Sequence, residues 1–87
     1  MMNNRPLVSI IACCYNHEKF VEETLDGIIS QTYENIELII IDDFSTDSSV
    51  KKVNNWIKKH KYECLFIQNK ENLGVVKTLN KALKRAS

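Results

Sequence analysis

Hydrophobic and polar positions alternate along the chain in two distinct rhythms. After Pro6, the run Leu7-Val8-Ser9-Ile10-Ile11-Ala12-Cys13 is apolar and rich in β-branched residues, the pattern of a strand covered on both faces. The spacing then changes to three and four: Phe20, Val21, Thr24, Leu25, Ile28 and Ile29 form one stripe, with Glu22, Glu23 and Asp26 opposite, which predicts a helix facing a sheet. Asn16 stands where its N-cap would be, and Glu18 and Glu22 suit the positive helix end. Gln31-Thr32-Tyr33-Glu34-Asn35 breaks the pattern before a second buried strand, Ile36 to Ile41, which stops at Asp42-Asp43.

Ser45-Thr46-Asp47-Ser48 is crowded with capping residues. Val50, Val53, Trp56 and Ile57 continue at helical spacing up to Lys58-Lys59-His60-Lys61, whose cations fit a helix C-terminus. Tyr62 to Gln68 reads as a third strand, and Asn69 to Gly74 as a polar loop. Val75, Leu79, Ala82 and Leu83 form one face of a last helix. A β-α-β-α-β-α order with short loops implies an α/β fold: a Rossmann-like half with parallel strands in the order 3-2-1 and right-handed crossovers. No internal repeat or linker divides residues 1–87, so a single domain is expected.

Composition narrows the functional classes. At 87 residues, with 44% hydrophobic and 26% charged, the chain is of ordinary globular type. A domain near this size buries only about 60–65% of its unfolded surface, so its stability is marginal. A net charge of +1 supplies no field for nucleic acid or an anionic membrane. No apolar run approaches the ~20 residues of a membrane span, and Asn3-Asn4-Arg5 does not lead into a signal-peptide core. Three cysteines, two of them adjacent, point to a reducing compartment and a cytoplasmic chain. Cys13, Cys14, Cys64, His17 and His60 lack zinc-ligand spacing, and Cys64 is expected to pack as a small hydrophobe.

Ligands of open α/β sheets bind outside the carboxyl ends of the strands. That rule selects three loops on one edge: Cys13 to Glu18, Asp42 to Asp47, and Asn69 to Gly74. The first contains no glycine, which excludes the dinucleotide fingerprint and the Walker loop. What the edge offers is the Tyr15 ring beside the Asp42 and Asp43 carboxylates, a pairing suited to a base that stacks on one and donates an N–H to the other. The bland readings are turn chemistry for the aspartates, packing for Tyr15, a dipole role for Glu18 and a solvated face for Lys77, Lys81, Lys84 and Arg85.

Five stretches sharpen this picture: Pro6-Leu7-Val8-Ser9-Ile10-Ile11, Tyr15-Asn16, Ser30-Gln31-Thr32-Tyr33, Ile36 through Asp47, and Asn72-Leu73-Gly74. In order and spacing they resemble family 2 glycosyltransferases over nearly the whole chain. The resemblance implies the front, nucleotide-sugar-binding portion of a GT-A fold. The donor would be a UDP-sugar, its base stacked on Tyr15 and bonded to Asp43, with Asp42 in support and the backbone at Cys13 contributing. Glu18, Asn72 and Lys77 are further candidate contacts. The acceptor would be a saccharide or lipid-linked sugar in surface polysaccharide synthesis, with the full-length protein at the inner face of the membrane.

The chain departs from the family pattern at Cys13-Cys14, where a hydroxyl residue or proline is usual, and at Phe44, where glycine is usual. It also departs at Leu79, where a basic residue often stands, with Lys77 as a possible substitute. The resemblance further implies that the Asp-x-Asp motif for Mg or Mn, the catalytic base and the acceptor loops lie beyond Ser87. The piece alone is then expected to bind no metal, to be inactive, and to leave its first strand edge open to self-association. The alternatives are a non-catalytic nucleotide-binding module served by another chain, and a phosphoacceptor receiver domain. The latter needs an acceptor aspartate after the third strand, where Gln68-Asn69-Lys70 stands instead.

Overall fold

The computed structural model describes residues 8–31 and 36–86. Pro6 and Leu7 of the first predicted strand, Thr32 to Asn35 of the first crossover and Ser87 lie outside the described residues. The elements are β1 (Val8–Cys14), α1 (Val21–Ile29), β2 (Ile36–Asp42), α2 (Ser49–His60), β3 (Leu65–Gln68) and α3 (Val75–Arg85). The three strands form one parallel sheet in the order β1-β2-β3, the predicted order read from its other edge.

β2 lies in the middle because its run of aliphatics needs cover on both faces. Leu38, Ile39, Ile40 and Ile41 are all essentially inaccessible to solvent. Alternation along the strand sends Leu38 and Ile40 to one face, with Leu25 of α1 and Val53 and Trp56 of α2, while Ile39 and Ile41 meet Ile67 of β3 and Ala82 of α3 on the other. Each such side chain contributes about 1.5–3 kcal/mol when fully buried. β1 divides likewise, with Ile10 and Ala12 toward the first cluster and Ile11 and Cys13 toward the second. Cys64 packs against the first cluster, as expected.

Several local expectations are revised. Asn16 is not the cap of α1, because the chain makes a further turn and the helix begins at Val21 behind Phe20. Phe20 and Thr24 are exposed, so the buried stripe of α1 is Val21 and Leu25, with Ile28 and Ile29 half-buried. β3 starts at Leu65 rather than Tyr62; Tyr62 instead packs beside Trp56, with ring centroids 5.9 Å apart. α2 ends as predicted after Lys58, Lys59 and His60, with Lys61 in the left-handed conformation. The largest difference is α3: Val75, Leu79 and Leu83 are exposed, and the residues turned into the protein are Thr78 and Ala82.

Candidate functional site

Strand register builds the site. Cys14 pairs with Asp42, and Asp42 with Gln68, so all three strands finish in one row. The ladder runs one step further: the Asp43 N–H donates to the Cys14 carbonyl and the Asn69 N–H to the Asp42 carbonyl, each at 2.8 Å. The loops after β1, β2 and β3 therefore leave the sheet side by side, as the βαβ pattern required.

The first two loops are clasped together. Asn16, at φ 51°, donates its N–H to Ser45 Oγ, and its Oδ1 accepts the Thr46 N–H at 2.8 Å. The His17 N–H donates to Ser49 Oγ, and the Glu18 N–H to Asp47 Oδ2. Asp47 Oδ1 also accepts the Ser49 N–H, so Asp47 caps the start of α2 while gripping the first loop. Burial by itself would push the Asp47 carboxyl up, but these bonds outweigh it and hold the carboxyl below its ordinary value. Glu18 is spent in the same clasp: Oε1 accepts the Ser48 N–H at 3.4 Å, and its carbonyl accepts from Lys52 Nζ.

The second and third loops meet through Asp43, which is buried. Its Oδ1 accepts from the Leu73 N–H at 2.8 Å and Asn69 Nδ2 at 2.9 Å, and its Oδ2 accepts from the Gly74 N–H at 2.9 Å. Desolvation pushes this carboxyl up, yet the Leu73, Asn69 and Gly74 bonds and the Thr78 hydroxyl together hold it below the usual carboxylate value. Gly74 has φ 86° and ψ 163°, a region essentially reserved for glycine, and that conformation aims its N–H at Asp43. Asn72 Nδ2 donates to the Asp43 carbonyl at 3.3 Å, so Asn72 fastens the loop. Asp42 accepts from both the backbone and the hydroxyl of Ser45.

Between these loops lies a cavity of about 190 Å³ lined by Cys13, Cys14, Tyr15, His17, Asp43, Val75 and Thr78. Tyr15 is 44% exposed, which leaves part of its ring free to stack on a ligand. Cys14 is buried, and that burial pushes its thiol up to about 11; Cys13 is raised for the same reason, with the Asp43 charge adding to it. Both thiols are thus poor nucleophiles at neutral pH and act as apolar wall.

Of the residues singled out from sequence, Cys13, Tyr15 and Asp43 share this cavity and Asn72 bonds the Asp43 carbonyl, whereas Asp42 bonds Ser45 and lines a separate cavity with Phe44, Ser45 and Asn69. Glu18 and the exposed Lys77 are not part of its lining. Sequence reasoning passed over Val75, Thr78 and His17 as lining, and Asn69 and Lys81 as supports. A clue to Asn69 lay in its place directly after β3, on the edge where ligands bind. Phe44 occupies the left-handed region at φ 63°, which accounts for glycine being usual there and marks local strain.

The residues present do not fit a divalent cation, which takes about six or more oxygen ligands. Asp42 and Asp43 already accept from Ser45 and from the third loop, which leaves each carboxylate only part of its lone pairs. Among the described residues no group of three or more His, Cys, Asp or Glu is placed to hold a metal.

The architecture is that of the front part of a GT-A glycosyltransferase. The profile of Glycosyl transferase family 2 matches residues 9–87, and the chain belongs to that family. An uncharacterized glycosyltransferase of Haemophilus influenzae is 46% identical over 91% of this chain and 24% of its own length. The poly-beta-1,6-N-acetyl-D-glucosamine synthase of Staphylococcus epidermidis is 32% identical over 92% of this chain and 19% of its own. Among solved structures, the mannosyltransferase PcManGT from Pyrobaculum calidifontis, in complex with GDP-Man and Mn2+, superposes with a TM-score of 0.89 at 32% identity, covering 95% of this chain and 25% of that one. TarS 1-349 of S. aureus in complex with UDP gives 0.77 at 29% identity, with the same coverage. The chain thus spans about a quarter or less of these relatives.

Proposed function

We propose that this chain is the donor-nucleotide subsite of a glycosyltransferase that moves a sugar from a UDP-sugar to a saccharide or lipid-linked acceptor in surface polysaccharide synthesis. One observation carries the reading: Tyr15 and Asp43, from the ends of two adjacent strands, line a single cavity of about 190 Å³ walled by apolar groups. A half-exposed ring and a buried carboxylate are the pieces needed to stack a pyrimidine and fix its edge. The S. aureus relative's complex with UDP supports the same base class, while the Pyrobaculum relative's complex with GDP-Man makes a guanine donor the alternative. The Mn2+ in that complex supports a divalent cation, Mg or Mn, in the complete reaction. Since Asp42 and Asp43 do not fit one, its ligands and the acceptor-side base would come from outside residues 1–87, and the 87 residues alone would not turn over. Three free cysteines favour a cytoplasmic site of action.

Calorimetric titration of UDP and GDP against the chain tests this reading. UDP is expected to bind more tightly than GDP, and Tyr15→Ala to weaken UDP by at least tenfold, in line with ~1–3 kcal/mol for one stacked base. Equal affinity for the two nucleotides, or no effect of Tyr15→Ala, would remove the proposal. A second reading, a binding module whose metal site another chain supplies, is favoured by the same absence of a fitting donor set. Recovery of transfer activity on adding a separate downstream polypeptide would support it.

A further inference from the structure

Behind the cavity lies a buried polar chain that the sequence pattern does not reveal. Asn69 is 5% exposed and Thr78 1%. Asn69 Nδ2 donates to Asp43 Oδ1 at 2.9 Å and to Thr78 Oγ1 at 3.0 Å, while Asn69 Oδ1 accepts from Lys81 Nζ at 2.9 Å. The orientation of the amide is fixed twice over. A carboxylate has only acceptors, so the atom facing Asp43 must be the NH2; an ammonium has only donors, so the atom facing Lys81 must be the oxygen. Lys81 sits one turn beyond Thr78 on α3, so the helix supplies both the hydroxyl beneath the cavity and the cation that locks the amide. No buried side-chain polar atom among the described residues is left unpartnered, which gives the network one consistent arrangement.

We propose that Asn69, locked by Lys81, is the positioning residue that sets the Asp43 carboxylate at the base-recognising end of the cavity. The proposal rests on the reading of Asp43 as a nucleotide contact. Without Lys81 the Asn69 oxygen loses its donor, the amide is held from the Asp43 and Thr78 side alone, and its bond to Asp43 Oδ1 loosens, so the carboxylate loses part of what keeps it ionised and in place. Lys81 otherwise reads as one of several solvated cations of α3, and it is the only one of them bonded to this network. The other ionisable groups that share the cavity with Asp43 are Cys13 and Cys14 on β1 and Tyr15 and His17 on the first loop, and all remain unchanged in the variants below.

The experiment compares the 87-residue chain with Lys81→Met, Lys81→Arg and Lys81→Gln, the last keeping an N–H donor without the charge, because salt screens a partly buried pair only weakly. Two quantities are read: the carbon-13 titration of the Asp43 carboxyl, and UDP affinity by calorimetry. Lys81→Met is expected to raise the Asp43 titration toward the ordinary carboxylate value and to weaken UDP about fivefold to tenfold, with the circular dichroism unchanged. Lys81→Arg and Lys81→Gln, which restore a donor to Asn69 Oδ1, are expected to recover both, and a Lys81→Gln variant that behaves like Lys81→Met overturns the proposal by showing that the charge alone acts. An Asp43 titration that does not move in Lys81→Met overturns the proposal, as does a Lys81→Arg variant that behaves like Lys81→Met. If the unaltered chain binds no UDP, the functional reading falls, and the titration still decides whether Lys81 and Asn69 position Asp43.

Discussion

The two faces of the sheet are built from similar amphipathic helices with opposite outcomes. On the α1/α2 face, the stripe of α2 delivers Val53 and Trp56 into full burial against Leu25, Leu38 and Ile40, and Trp56 Nε1 donates to Asp26 Oδ1 at 2.8 Å. On the α3 face, the large apolar residues stay outside: Val75, Val76, Leu79 and Leu83 are 41–71% exposed, while Thr78 and Ala82 meet the sheet. Small contact residues let α3 approach closely and place its first turn over the end of β1, where it lines the cavity. One face is a finished core; the other joins the cavity to an exposed apolar stripe of α3, and among the described residues β1 pairs only with β2. A hydrophobic period therefore reports that a face will be covered without saying by what.

The sharpest way to break this contrast is to truncate one member of each face. Trp56→Ala is expected to cost about 3–5 kcal/mol in urea unfolding, while Leu83→Ser shifts stability by no more than about 0.5 kcal/mol. We further propose that the β1 edge, unpaired among the described residues, and this stripe drive self-association, so Leu83→Ser should lower the mass found by light scattering at high concentration. Equal costs for the two substitutions would erase the distinction between the faces.

Next in size is Asp43. Its folded-state titration lies below the ordinary 3.8, so its contribution is present above that pH and is lost as acid passes through the folded value. Asp43→Asn turns an amide NH2 toward donors of the third loop and is expected to cost about 2 kcal/mol at pH 7. In denaturant titrations the gap to the unaltered chain should begin to narrow below pH 3.8 and close as the pH falls past the lower folded value; a gap independent of pH would mean that the charge plays no part.

The smallest effect sharpens the comparison within the second loop. A bulky residue in the left-handed region costs about 1–2 kcal/mol, and glycine gives back about 0.5–1 in chain entropy. Phe44→Gly should therefore stabilise the chain by up to about 1.5 kcal/mol, measurable as a higher urea midpoint. A loss of stability would mean that the half-exposed Phe44 ring makes contacts worth more than the strain.

The elements were legible because period-two and period-3.6 patterns persist over whole segments. Ile36 to Ile41 could be read as the central strand from its unbroken aliphatics, and the 1-2-3 order followed from short crossovers. Asp42, Asp43 and Tyr15 could be placed on one edge because parallel strands bring their carboxyl ends together. Asn16 was misread as a cap because an asparagine ahead of a helical pattern looks the same whether it caps that helix or, in a left-handed turn, bonds across to Thr46. Leu79 and Leu83 looked like core because a helix pattern does not say which of two adjoining sectors meets the sheet.

By itself the sequence determined the class of fold, the order of its strands and the edge on which chemistry gathers, since each follows from local periodicity and from the handedness of polypeptide chains. Tertiary structure alone decided that Asp43 would be encircled by Leu73, Gly74, Asn69 and Thr78, and that Lys81 would orient Asn69. Asp43 lies 26 to 31 residues from Asn69, Leu73 and Gly74, and Lys81 lies 12 from Asn69; hydrogen bonds of that kind depend on angstrom-scale placement of loops after the core has packed. No local pattern encodes such placement.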